Sequence, residues 1–295
     1  MFSLVLVSGC ISGPITSGEG LVIENFVSSP SEVYAGEPFQ LQLMVRNKGT
    51  SNARNVRFEL SNIGTTYGGE ESEISCNPEC AGLIEYMLAP QPESGTTGES
   101  KTCIWQCTAP SNIPRNIAVT FSPSVRVTYE YESNTARSAT IVSEEELRSL
   151  ETQGKAITSE TTSISNAPIR LDIEMRSPLK YNEKTGMITF PISIGIENTG
   201  EGVACYPSCG NPEDWNKVFL EMDPSSGVNL KDCNAGIFSS VNLWEGRERS
   251  IVCDGEIMLA NIKQTKTNIL KKTLKIKAKY EYFTDATTSV KVTGT

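Results

Sequence analysis

The chain has 295 residues, a formal net charge of -9, a sequence pI of about 4.9 and no histidine. A hydrophobic content of 38% and a charged content of 21% fit a globular protein large enough for two domains. The acidic balance argues against nucleic acid, whose phosphates need clustered Lys and Arg. Without imidazole the usual general base near neutral pH and the commonest transition-metal ligand are both missing, although carboxylate or Ser/Lys chemistry stays open.

The chain opens with an apolar run over residues 2–7, followed by Ser8, Gly9 and Cys10. Val7, Ser8, Gly9 and Cys10 together resemble the lipobox of exported lipoproteins. That resemblance implies a signal-like segment over 1–9 that is removed, leaving an acyl anchor on Cys10. The other reading is a buried first strand with an incidental cysteine. Residues 10–20 are rich in Gly, Ser, Thr and Pro, a composition that suits a flexible tether. No later segment has the run of about 18 apolar residues that a transmembrane helix needs. Membrane attachment is therefore expected only through a lipid on Cys10.

Period-two alternation, one buried and one wet face per strand, then recurs along the chain. The first predicted strands cover 21–27 and 39–47. The second of these sets Phe39, Leu41, Leu43 and Val45 on one face and ends in the turn Asn47, Lys48, Gly49. A strand over 56–60 leads to a loop in which Gly68 and Gly69 precede Glu70, Glu71 and Glu73. That charge is wrong for a phosphate loop and the spacing is not that of a Ca²⁺ loop, so a solvated loop is expected. After a strand over 118–121, Val125, Val127, Tyr129 and Tyr131 alternate with Arg126, Thr128 and Glu130. Ser143 and Glu146 form a capping box, Val142 and Leu147 a hydrophobic staple, and Gly154 a stop, predicting a short helix followed by a linker to residue 167. Further strands are predicted over 169–175, 190–198, 218–222 and 250–253. In the last long strand, Ile276, Ala278, Tyr280 and Tyr282 alternate with Lys277, Lys279 and Glu281. Lys275, Lys277 and Lys279 read as a solvated row that deters edge pairing, the other reading being a patch for an acidic partner.

Two of these strands are repeats of two others. Phe190 follows Phe39, and Tyr280 follows Tyr129, by the same 151 residues (190 − 39; 280 − 129), and the turns at Asn47 and Asn198 share that offset. The pattern predicts an all-β chain of two tandem β-sandwich domains from an internal duplication. The expected boundaries are 21–142 for the first domain, 143–167 for the helix and linker, and 168–295 for the second domain.

Of the nine cysteines, Cys10 stands apart; Cys76, Cys80, Cys103 and Cys107 fall in the first repeat, and Cys205, Cys209, Cys233 and Cys253 in the second. An even count per domain in an exported chain points to disulfides. Aligning the repeats favours Cys76–Cys107 and Cys233–Cys253 as the shared bridge. Cys80–Cys103 is then a second rung, and Cys205–Cys209 a loop clasp. A zinc site from Cys76, Cys80, Cys103 and Cys107 is the rival reading, weakened by its three-residue spacings and by its absence from the second repeat. Trp105 and Trp244 are expected to pack against disulfides. Trp215, beside Cys209, is the candidate for an exposed contact.

The segment from Val45 to Phe58, with Asn47, Lys48, Gly49 and then Asn55, Val56, resembles the strand–turn–strand core of CARDB-type domains. These are immunoglobulin-like β-sandwiches of archaeal and bacterial cell-surface proteins. Ile196 to Val203 is similar, with a loop that departs at Cys205–Cys209. The resemblance implies a tandem immunoglobulin-like fold and an extracellular, cell-surface setting, and it implies no catalytic residues, cofactor or metal. The function expected is a non-catalytic, surface-anchored structural or adhesion protein. Its partners would be other surface or envelope proteins, with self-association through edge strands. The alternative is a subunit of an extracellular filament or envelope assembly, in which the apolar strand over 2–7 is kept and completes a neighbouring subunit. A solute-binding protein or an enzyme is the remaining reading.

Overall fold

A computed structural model describes residues 18–67, 70–78, 82–154, 160–181, 186–233, 239–258 and 269–295. The signal-like segment, Cys10, Cys80, Gly68 and Gly69 lie outside the described residues. Before the helix the strands are β1 (Leu21–Ser29), β2 (Glu32–Tyr34), β3 (Pro38–Asn47), β4 (Ala53–Ser61), β5 (Gly64–Tyr67), β6 (Glu70–Glu73), β7 (Ser75–Pro78), β8 (Ile84–Met87), β9 (Ser100–Thr108), β10 (Ala118–Phe121) and β11 (Ser124–Ser143). After helix α1 (Glu144–Thr152) come β12 (Thr162–Ile164), β13 (Ile169–Met175), β14 (Leu179–Tyr181), β15 (Met187–Asn198), β16 (Val203–Cys205), β17 (Lys217–Met222), β18 (Asn229–Lys231), β19 (Ser240–Asn242), β20 (Glu248–Met258), β21 (Ile269–Thr287) and β22 (Val290–Thr293).

The chain is all-β apart from α1, and its sheets are built around one long two-stranded ribbon. Strands β11 and β21 pair antiparallel from Ser124 opposite Thr287 to Val142 opposite Ile269. β10 and β22 continue the same register, ending with Ala118 opposite Thr293. The ribbon is the middle of a nine-stranded sheet of order β19-β17-β21-β11-β4-β8, with β12 and β14 also on β11 and β16 on β21. Two four-stranded sheets, β1-β3-β9-β7 and β13-β15-β20-β18, supply the other layers. The inward residues of β3 (Phe39, Leu41, Leu43, Val45), of β15 (Ile192, Ile194, Ile196) and of the ribbon belong to one continuous hydrophobic core.

Strand pairing crosses the boundaries read from the sequence. The last strand, β22, lies antiparallel to β10 and parallel to β2, both from the first half. The end of β11 reciprocates, running parallel to β14 of the second half. Each half thus lends its strand end to the other. The expected linker is itself partly built in, since β12 pairs with Thr135 to Arg137 of β11. The last residues of the expected tether are docked as well: Glu19 N–H donates to Asn166 Oδ1 (3.2 Å), and Gly20 O accepts from Lys48 N–H (2.9 Å). Helix α1 follows its capping signals, with Glu146 N–H donating to Ser143 Oγ (3.1 Å) and Leu147 buried.

The lysine row has a different role from the one its sequence suggested. β21 is an interior strand, flanked by β11 and β17, so no edge needs guarding there. Instead Lys279 pairs with Glu221 (2.7 Å) and Lys277 with Glu132 (3.0 Å) across neighbouring strands, and Lys275 with Asp223 (3.8 Å) just past β17. Each exposed pair contributes little, but together they fix which charges sit opposite on the outer face.

The repeated tyrosines meet at the centre of the ribbon. Tyr129 lies opposite Tyr282 and Tyr131 opposite Tyr280. Their rings form a closed quartet with centroid separations of 5.7–6.4 Å, edge-on or tilted. Every hydroxyl is satisfied. Tyr131 Oη donates to Asn47 Oδ1 (3.3 Å) and accepts from Ser51 N–H (3.2 Å). Tyr282 Oη donates to Asn198 Oδ1 (3.0 Å) and accepts from Gly202 N–H (2.9 Å). Tyr129 and Tyr280 accept from the N–H of Leu21 and Ile169, the first residues of β1 and β13. The two Asn-x-Gly turns are explained by these bonds. The asparagine is the tyrosine's acceptor, and a Cβ at Gly49 or Gly200 would collide with the hydroxyl of Tyr131 or Tyr282.

Two outcomes follow. Gly49→Ala should cost about 1–3 kcal/mol through overpacking. Gly195→Ala, where a Cβ meets only the Asp172 Cβ at 3.9 Å, should be neutral or slightly stabilising. Urea-unfolding midpoints compare the two, and equal losses would contradict the turn's role. Burial also raises all four tyrosine pKa values, that of Tyr282 to about 12. In the unfolded chain these groups ionise near pH 10. Stability should therefore hold below pH 10 and fall as pH rises from 10 toward 12, with a slope approaching about 5 kcal/mol per pH unit if all four ionise only on unfolding. Urea titrations at stepped alkaline pH measure it, and a flat profile through that window would contradict the buried quartet.

Candidate functional site

The opposite, outer face of the ribbon's centre poses an electrostatic problem. Glu130 and Glu281 are directly paired there, and like charges placed opposite one another repel. The sequence resolves it with separate partners. Glu130 accepts from Asn55 Nδ2 (2.7 Å). Glu281, 7% exposed, forms an ion pair with Arg57 and accepts from Ser208 Oγ (3.2 Å) and the Cys209 N–H (2.5 Å). A buried carboxylate held by a guanidinium and two further donors is satisfied rather than stranded.

The loop supplying Ser208 and Cys209 leaves β16 and is closed by the Cys205–Cys209 disulfide. Trp215 donates its indole N–H to Cys209 O (2.9 Å) and its ring lies 5.2 Å from that of Phe283. Arg126 sits 3.9 Å from the Phe283 ring centroid while forming a two-pronged pair with Asp285 (2.8 and 2.7 Å). Asp285 accordingly raises the pKa of the Arg126 guanidinium. The cluster is a lid over the ribbon's centre, made of groups already committed to one another.

The other cysteines clasp the outer sheets. Cys76–Cys107 links β7 to β9, and Cys233–Cys253 links the residue two past β18 to β20, each with a Cα separation of 4.1 Å. Cys103 is disulfide-bonded as well; Cys80, its expected partner, lies outside the described residues. With Cys76, Cys103 and Cys107 oxidised, the thiolates needed for a zinc site are not at hand. Among the described residues no group of three or more Cys, Asp or Glu side chains is placed to hold a metal ion. Cys10 also lies outside the described residues.

Trp105 keeps its expected place, whereas Trp215 and Trp244 exchange theirs. Trp105 is buried against Phe26, as a core residue beside Cys107. Trp215 is no open contact surface, because it is half-buried and bonded into the loop lid. Trp244, expected inside against a disulfide, is 68% exposed. Its turn has Glu245 and Gly246 in left-handed conformation and buries Leu243, which throws the next side chain outward. Two adjacent residues of unlike fate at a tight turn leave no periodicity for a sequence reading to use.

No family model and no curated protein matches the chain. Among solved structures it is similar to the secreted serine protease VesC from Vibrio cholerae at 8% identity and a TM-score of 0.23, over 88% of this chain and 50% of that one. The chain thus spans about half the length of that protein, and a likeness this loose carries no argument.

The clasps differ in the chain length they close. The chain-entropy estimate gives about 3–4 kcal/mol for Cys76–Cys107 and Cys233–Cys253, and about 2 kcal/mol for Cys205–Cys209, whose separations are 31, 20 and 4 residues. Paired Cys→Ser variants should rank in that order by unfolding midpoint. A loop-clasp variant that proved the most damaging would show that the lid, not the outer sheets, limits stability.

Proposed function

We propose that the chain is a non-catalytic structural or adhesion protein displayed outside the reducing cytosol, built from two duplicated immunoglobulin-like sandwiches and tethered through a lipid on Cys10. The observation that carries this reading is the match between the outer sheets. In strand order β1-β3-β9-β7 parallels β13-β15-β20-β18, and each sheet has a disulfide between its last two strands or the residues beside them. The Tyr131–Asn47 and Tyr282–Asn198 bonds recur at the offset of the sequence repeat. Stable disulfides belong to oxidising compartments. The charged and aromatic groups around the loop lid are spent on holding the fold, which suits a scaffold. Among the described residues no helix is long and apolar enough to cross a membrane.

Intact-mass analysis of the unreduced protein from its natural host tests the proposal. It should show a chain starting at an acylated Cys10, with the other cysteines oxidised. A full-length chain from Met1 recovered in polymers would replace this reading with the filament subunit, and free thiols would remove the extracellular setting altogether.

A further inference from the structure

On the outer face of the second four-stranded sheet, a groove of about 750 Å³ runs beside the exposed Trp244. Its floor follows from the strand register. Arg170, Glu197 and Glu248 lie side by side across β13, β15 and β20, and Asp172, Gly195 and Ser250 form the next row. Gly195 is the gap in that lattice: its missing side chain leaves a notch where an added Cβ would touch only the Asp172 Cβ. Trp244 stands at the end of the first row, its N–H donating to Glu248 O (2.7 Å), and Arg247 N–H donating back to Trp244 O (2.8 Å). These main-chain bonds hold the backbone of Trp244 in place, and its indole stays open to solvent.

Of the polar groups lining this groove, Asp172 Oδ1 accepts from Ile173 N–H (2.9 Å) and Ser250 Oγ shares a hydrogen bond with Ser193 Oγ (3.3 Å), while the others are uncommitted. On the nine-stranded sheet the outward charges are paired across strands. Among the described residues, by contrast, no side-chain hydrogen bond or ion pair engages Arg170, Glu197 or Glu248. An open aromatic face beside a notch with spare donors and acceptors is how a small-ligand site is built.

We propose that this groove is a saccharide-binding site in which Trp244 stacks on the apolar face of a neutral pyranose and the flanking side chains take its hydroxyls. The mixture of charges selects that ligand class. An anion would meet Asp172, Glu197 and Glu248, and an organic cation attracted to the indole would meet Arg170. An apolar segment would leave all of them desolvated without partners. Sugar hydroxyls both donate and accept, so the carboxylates, the guanidinium and the Ser250 hydroxyl each find a complementary partner. The site belongs to the folded chain and does not depend on how, or whether, the protein is anchored.

Isothermal titration of the full chain with neutral oligosaccharides of glucose, mannose and N-acetylglucosamine tests it. At least one class should bind. Trp244→Ala and, separately, Gly195→Leu should weaken that binding by about tenfold or more, with the unfolding midpoint unchanged for the exposed Trp244. The proposal fails if none of the three classes binds, if Trp244→Ala binds as the parent does, or if tetramethylammonium binds at Trp244 and the sugars do not.

Discussion

The pairing of two long strands along one unbroken register is the constraint on which the rest of the structure depends. Because β10–β11 and β21–β22 run antiparallel with Glu130 opposite Glu281, residues equivalent in the two repeats meet at the middle. Buried there, the four tyrosine hydroxyls need hydrogen-bond partners; Tyr280 bonds to Ser133 within the ribbon, and each of the four reaches partners outside it. Those partners are the first backbone N–H of β1 and β13 and the turns at Asn47 and Asn198. The centre of the ribbon therefore positions the start of each outer sheet and the turn that returns from it.

The same geometry makes the halves interdependent. A strand end from each half is completed by a short parallel strand of the other, with Ile141 and Val142 buried on one side and Val290 and Val292 on the other. Hydrophobic burial on this pattern cannot be gained by one half alone. Disulfides then act at the periphery, on the outer sheets and the loop lid, where the ribbon's reach ends. Trp244 stands exposed beside the second outer sheet, outside these clasps.

Much of this scaffold is written in plain alternation. The strands over 118–121 and 169–175 emerge with their observed limits, and the tyrosine strands were legible because large apolar residues point inward at every second position. The far part of β11 was not. Ser133 and Thr135 are buried yet polar, bonding to Tyr280 and to Ser163 O, so the alternation loses its hydrophobic signal between Tyr131 and Ala139. The strand exchange was invisible for a related reason: pairing between halves is set by long-range register, while the sequence shows only local period. The capping residues of α1 are local and read correctly. Asn47, Gly49 and their equivalents appeared as turn residues, but their link to tyrosines about 80 positions away required the fold.

Native-state hydrogen exchange, followed amide by amide, addresses the central claim most directly. If the ribbon joins the halves into one body, the slowest amides should be those of β11 and β21 around Tyr129 to Tyr131 and Tyr280 to Tyr282, and β3 and β15 should open with a common free energy. Two separate sets of opening energies, one for each half, with the ribbon amides exchanging ahead of both, would contradict it.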